Sequence, residues 1–196
     1  MKKTTLILAV LLGLAVRSQA TVTIDVTEVG GNVVFTTSGS LDLTGAFLYT
    51  SGSGFGRGFI SGAPNWFVGM GPGTGYDSYA LTSYAASFGT STNYYSAPSS
   101  VSGDNFFIWG NNGADPRQVA VNAGYVSGAA ISSVMTFNGT TIAGLFLTEG
   151  VYNYEIPNDN VVLRIGSGVS VPDTGFTATL LGLALAGLAA VRRRVS

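Results

Sequence analysis

The most regular hydrophobic pattern in the chain opens at Thr21. Val22, Ile24 and Val26 alternate with Thr23, Asp25 and Thr27, the period of two that marks a half-buried strand. Gly30-Gly31-Asn32 breaks the alternation and Val33 to Thr37 resumes it, which predicts a hairpin. Short apolar or aromatic runs follow at Ala46 to Thr50, Trp66 to Met70, Phe106 to Trp109 and Gln118 to Val121. Ile131 to Phe137 alternates loosely and meets Asn138-Gly139, a tight-turn pair, after which Thr141 to Leu147 is expected as another strand. Thr148-Glu149-Gly150 turns into Val151 to Ile156, and Pro157-Asn158-Asp159-Asn160 turns into Val161 to Ile165. About ten short strands between Gly, Asn, Ser and Pro turns, with little helical periodicity, predict an all-β fold. The expected architecture is an antiparallel β-sandwich or jelly-roll-like domain over residues 21–170, its clearest part a closing meander from Val119 to Ile165.

One stretch departs from this pattern. Ser51 to Ser102 is rich in Gly, Ser, Tyr and Thr and is interrupted by Pro64, Pro72 and Pro98. It reads as long loops or irregular edge strands. Its Tyr76, Tyr79, Tyr84, Tyr94 and Tyr95 predict ordered packing, because disordered segments are poor in aromatics.

The two ends follow a different rule. Met1-Lys2-Lys3 is a basic start, Thr4 to Val16 is uncharged and mostly apolar, and Arg17-Ser18-Gln19-Ala20 precedes the first strand. That order is a secretory signal peptide over residues 1–20, cleaved after Ala20 by signal peptidase. Its apolar part is shorter than the roughly 17–25 residues of a membrane span; an uncleaved anchor is the alternative. At the other end, Val171-Pro172-Asp173-Thr174-Gly175 runs directly into the apolar segment 176–191, which closes on Arg192-Arg193-Arg194. As a helix, residues 176–191 would be roughly 24 Å long at about 1.5 Å per residue, a marginal transmembrane helix. The three arginines would stay on the cytoplasmic side as a membrane-stop cluster. Gly182, Ala186 and Ala190 recur at four-residue spacing, a small face that allows close approach of a second helix.

A motif, an apolar helix and an arginine cluster, in that order at residues 171–196, resemble the PEP-CTERM sorting signal in its Val-Pro-Asp-Ser/Thr-Gly (VPDSG) variant. Pro172 and Asp173 match the centre of that variant, Thr174-Gly175 its end, and Arg192 to Arg194 its basic cluster. The resemblance implies that an exosortase, an intramembrane cysteine transpeptidase, processes the chain near the motif. The protein would be an inner-membrane intermediate transiently, and would then pass to the cell surface or extracellular matrix of a Gram-negative bacterium that makes exopolysaccharide. The usual Pro-Glu-Pro triplet is absent. Pro172 to Gly175 also fit a sortase signal of the Leu-Pro-x-Thr-Gly kind with Val171 in place of Leu, and an uncleaved, membrane-tethered adhesin is a third reading. Gly124-Tyr125-Val126-Ser127-Gly128 and Leu147-Thr148-Glu149-Gly150-Val151-Tyr152 are similar to the closing β-segments of many such sorted proteins.

Charge separates the ends from the middle. The whole chain carries nine Lys and Arg against ten Asp and Glu, a formal charge of −1. Residues 21–170 hold three basic residues (Arg57, Arg117 and Arg164) against nine acidic ones, a net of −6. An acidic domain gives no drive toward nucleic acid. The chain has neither His nor Cys, so Ser-His-Asp and Cys-His nucleophile pairs are excluded, as are disulfides and the common zinc and haem sites. We expect no catalytic residues, no metal and no cofactor.

Three groups of residues nevertheless have chemistry to consider. Glu149 and Glu155 flank one strand, and paired carboxylates are the apparatus of glycoside hydrolysis; solvated hairpin charges are the plainer reading, with a glycan-active enzyme as the alternative. Asp104-Asn105 and Asn111 to Asp115 hold oxygen ligands of the type that bind calcium, but Asp and Asn beside Gly are also ordinary turn residues. Trp66, Trp109 and the tyrosines have the flat rings that stack on sugars, and also the bulk that fills β-cores. The expected function is that of an exported surface or matrix protein, structural or carbohydrate-associated, with exopolysaccharide as its candidate partner.

Overall fold

A computed structural model describes residues 21–54, 56–63, 65–110 and 116–166. The first strand, β1 (Thr21–Val29), buries Val22, Ile24 and Val26 and turns its Thr and Asp residues outward. It joins β2 (Asn32–Ser40) through Gly30 and Gly31, whose φ angles are 56° and 79°. Two successive positive φ values make a type I′ turn, which glycine adopts without a Cβ penalty. The remaining strands are β3 (Leu48–Ser53), β4 (Gly58–Ile60), β5 (Trp66–Met70), β6 (Gly75–Ala80), β7 (Ser83–Tyr84) and β8 (Ser100–Gly103). Then come β9 (Phe106–Gly110), β10 (Gln118–Asn122), β11 (Ala130–Asn138), β12 (Gly150–Ile156) and β13 (Asp159–Ile165).

These strands form two sheets. One has seven strands in the order β7-β12-β13-β1-β2-β11-β8, the other six in the order β3-β6-β10-β9-β5-β4. Inward residues of both build a single core, from Ile24, Phe35, Met135 and Leu163 on one side to Phe59, Trp66, Val68, Phe106 and Val119 on the other. Phe59 sits at its aromatic centre, 5.4 Å from both Phe35 and Phe137 and stacked on Tyr95 at 4.7 Å. The fold is therefore an all-β sandwich, as the pattern predicts. Pairing is antiparallel except between β1 and β13, which run parallel with Thr21 opposite Asn160 and Val26 opposite Ile165.

Three expectations need correction. First, Thr141 to Leu147 is not a strand: it contains a single 3-10 turn over Ala143–Leu145. Ile142 and Leu145, three apart, are buried across that turn, the spacing that eclipses in 3-10 geometry, and Leu147 is buried beyond it, in an isolated bridge to Gly89. Second, residues 119–165 are not one meander. β10 lies in the six-stranded sheet, while β11 lies between β2 and β8 in the other; only β12 and β13 form a hairpin, around Pro157 and Asn158. Alternation reveals which face of a strand is buried but not which strand lies beside it. Third, the stretch 51–102 supplies more regular structure than expected. It does hold edge strands β4 and β7, most of β8 and half of β3, but β5 and β6 are interior.

β6 escapes the sequence pattern because one of its two faces carries Asp77 where an apolar residue would be expected. The carboxylate of Asp77 accepts from Ser51 Oγ at 2.6 Å and from Gly124 N at 2.7 Å. Those two bonds hold the Asp77 carboxyl below its ordinary pKa. Tyr79, on the same face, packs against the core.

The segment 124–128, which crosses from β10 toward β11, is held by the side chains of Tyr125 and Ser127. Tyr125 Oη accepts from Leu41 N at 2.9 Å and donates to Ala129 O at 2.6 Å. Ser127 Oγ accepts from Leu43 N at 2.8 Å. Replacing Tyr125 by Phe leaves the buried Leu41 amide without this acceptor. We expect a loss of about 1–3 kcal/mol, measured by urea unfolding, with the native β-sheet circular dichroism retained.

Candidate functional site

The outer face of the six-stranded sheet is built by alternation. In β9, Phe106 and Ile108 point into the core, so Phe107 and Trp109 point the other way. In β5, Trp66, Val68 and Met70 point inward and leave Phe67 outside. Trp109 is flanked in register by Phe67 on β5 and by Gln118 on β10. The rings form a strip from β6 over β10 and β9 to β5: Tyr76 to Phe107 at 5.1 Å, Phe107 to Phe67 at 6.0 Å, and Phe67 to Tyr94 at 5.9 Å. At one end of this strip lies a depression of about 370 Å³, lined by Tyr49, Thr50, Tyr76, Phe107, Trp109 and Gln118. Phe107 is its floor at 4% exposure, while Trp109 is half-buried.

The two tryptophans therefore have different roles. Trp66 is 1% exposed and its indole lies 4.9 Å from the Tyr154 ring, between the sheets. It has no face for a sugar, so the stacking role considered for it does not hold. Trp109 keeps an outward face. Thr50, Phe107 and Gln118 are the lining residues that sequence reasoning misses, and Tyr49 enters it only as one of the tyrosines. The signal for Phe107 is its i, i+2 relation to Trp109; Tyr49 and Gln118 lie on other strands, and only the register brings them in.

The structure does not bring the acidic candidates together. Glu149 and Glu155 are exposed and six residues apart along extended chain, about 20 Å at roughly 3.3 Å per residue. Glycosidase carboxylates lie about 5–9.5 Å apart. Asp104 and Asn105 fasten backbone and side chains. Asp104 accepts from Asn122 Nδ2 at 3.0 Å and Ser132 N at 2.8 Å. Asn105 accepts from Gly73 N at 2.9 Å and donates to Thr74 Oγ1 at 2.6 Å. Their suggested calcium partners at 111–115 lie outside the described residues. Among the described residues, no group of three or more acidic side chains is placed to hold a metal ion.

A second acidic pair, Asp42 and Asp159, has pKa values displaced in opposite directions. Hydrogen bonds from Thr44 and Ser127 lower that of Asp42, while burial raises that of Asp159. Asp159 accepts from Asp42 N and from Asn160 N, each at 2.7 Å. The pair thus ties the loop after β2 to the start of β13. Both carboxylates are engaged in holding backbone.

The sorting residues lie outside the described residues: Ala20, Val171 to Gly175, the segment 176–191 and Arg192 to Arg194. So does the expected domain limit at residue 170. Among the described residues, no helix is long and apolar enough to cross a membrane.

Comparison with known proteins bears on that C-terminal segment. Residues 170–195 match the VPDSG-CTERM motif, an exosortase-type sorting signal, and the matched span includes both the Val171 to Gly175 motif and the three arginines. The chain thus carries the signal of an exported, exosortase-processed protein directed to the cell surface. No curated protein and no solved structure matches the chain.

Proposed function

We propose that the protein is a non-catalytic component of the bacterial surface or extracellular matrix, structural or carbohydrate-associated. Its chain of events begins with export and signal-peptide removal after Ala20. It continues with a transient inner-membrane stage and ends with release by an exosortase. The observation that carries this reading is the sorting signal at residues 170–195, joined to a β-sandwich that displays an aromatic outer face.

A non-catalytic role is supported by the absence of His and Cys from the sequence, by the separation of Glu149 from Glu155, and by the engagement of Asp42 and Asp159 in backbone hydrogen bonds. The candidate partner outside the cell is exopolysaccharide. The reactive cysteine of the sorting step belongs to the exosortase, so this chain needs none.

Deleting the exosortase from the producing bacterium tests the reading. The protein is expected to leave the surface and medium fractions and accumulate in the inner-membrane fraction. An unchanged distribution would show that sorting does not depend on that enzyme.

A further inference from the structure

We propose that the depression on the outer face of the six-stranded sheet is a binding site for a neutral glycan chain, with Trp109 as its stacking platform. The inference builds on the carbohydrate-associated reading above and gives it a location and a ligand class.

Three features select this ligand. The first is shape and surface. Phe107 provides an apolar floor, with the half-buried aromatic side chains of Trp109 and Tyr76 beside it, the Tyr76 ring edge-on to Phe107. A pyranose ring is apolar on its C–H face and polar around its rim, so it needs flat rings beneath it and hydrogen-bonding groups at its edge. Thr50, exposed at this depression, carries a hydroxyl of that second kind. The second feature is charge. None of the six lining residues carries a formal charge, and residues 21–170 sum to −6. A polyanionic glycan would meet a repulsive field and no cation in the site, whereas a neutral chain meets neither problem. The third is support. Trp109 is held on an interior strand between Phe67 and Gln118, and a site on rigid strands loses less entropy on binding than one on loops. The volume, about 370 Å³, falls at the low end of the roughly 300–1,000 Å³ typical of small-molecule sites. The site is therefore suited to a few sugar units of a longer polymer.

The test is affinity electrophoresis of the exported protein, purified from culture, in native gels containing hydroxyethyl cellulose, laminarin, dextran or, as the anionic comparison, alginate. At least one neutral polymer is expected to retard migration, and alginate is not. Trp109→Ala should weaken retardation about tenfold or more, the scale of a lost hot-spot ring, while Trp109→Phe retains part of it. Val151→Ala, on the seven-stranded sheet, should leave it unchanged. Thermal unfolding of each variant separates a lost site from a lost fold. Retardation by no neutral polymer, equal retardation of wild type and Trp109→Ala, or stronger retardation by alginate would each overturn the proposal. The sorting reading is judged separately, by membrane fractionation. A sorted protein that binds no glycan removes only the site, and a glycan-binding protein retained in the membrane removes only the sorting.

Discussion

Replacing Trp66 by Ala is expected to destabilise the β-domain by about 3–5 kcal/mol, the range for deleting a large buried aromatic side chain. Trp66 joins the two sheets. It lies on β5, and its ring packs against Tyr154 of β12 at 4.9 Å and near Tyr84 of β7 at 6.1 Å. The backbone is shaped to receive it: a Cβ at Gly110, on the neighbouring strand, would clash with the indole. With the indole gone, the Tyr154 ring loses a main packing partner, and its buried hydroxyl already has no hydrogen-bond partner among the described residues. Total stability of a domain is only about 5–15 kcal/mol, so this one change removes a large share of it. For a domain of this size the midpoint of thermal unfolding should fall by roughly 10 °C or more. Trp109→Ala, from a half-buried outer position, should move the midpoint far less. Equal effects of the two substitutions would contradict the assignment of one tryptophan to the core and the other to the surface.

The largest expected effect on the fate of the protein lies in the tail. Exchanging Pro172 and Asp173 together for Ala should stop processing and leave a full-length precursor in the inner membrane, read by immunoblot of fractionated cells. Pro172 fixes its own φ and removes a backbone donor, and it biases Val171 away from helical geometry. The pair would therefore contribute both a conformational restriction and a charge to the expected recognition motif. Replacing Arg192, Arg193 and Arg194 by Gln should also prevent processing, for a different reason. The apolar segment 176–191 is shorter than the roughly 20 residues that span a bilayer comfortably, so as a span it would depend on the positive cluster for its orientation. Substituting the motif should give a correctly inserted but uncut chain; substituting the arginines should give a misinserted one. Protease accessibility of an epitope at the extreme C-terminus distinguishes them. Wild-type processing in both variants would show that the signal is not the one read.

Much of the fold is legible in residue order because the relevant interactions are local. The alternation of Val22, Ile24 and Val26 and the two glycines after β1 specify a hairpin through side-chain period and turn geometry alone. β5, β9, β12 and β13 are legible for similar reasons. What residue order hides depends on partners distant in sequence. The parallel contact of β1 with β13 unites the two ends of the domain, and nothing local to either strand announces it. β6 is hidden because Asp77 is satisfied by Ser51 and Gly124, neither of which is adjacent in the chain. The Tyr125 and Ser127 side chains have the look of turn decoration, and their bonds to Leu41 and Leu43 emerge only in three dimensions.

The candidate functional residues divide the same way. The sorting signal is a contiguous string, recognised as such, so Val171 to Gly175 and Arg192 to Arg194 are legible from residue order alone. The aromatic depression is assembled from β3, β6, β9 and β10. Of its residues, Trp109 stands out by type and Tyr76 as one of several tyrosines. Trp66 stands out equally and is core, because residue type does not reveal which face of a strand looks outward; the register of β5 against β9 does.

The central claim, an exported chain processed by an exosortase, is tested most directly by intact-mass spectrometry of the protein recovered from the cell surface and medium. The predicted mature chain begins at Thr21 and ends at or near the Val171 to Gly175 motif, without Arg192 to Arg194. In cells lacking the exosortase the same N-terminus should accompany an intact C-terminus. A surface-recovered wild-type chain that still ends in the arginine cluster and Ser196 would contradict the account.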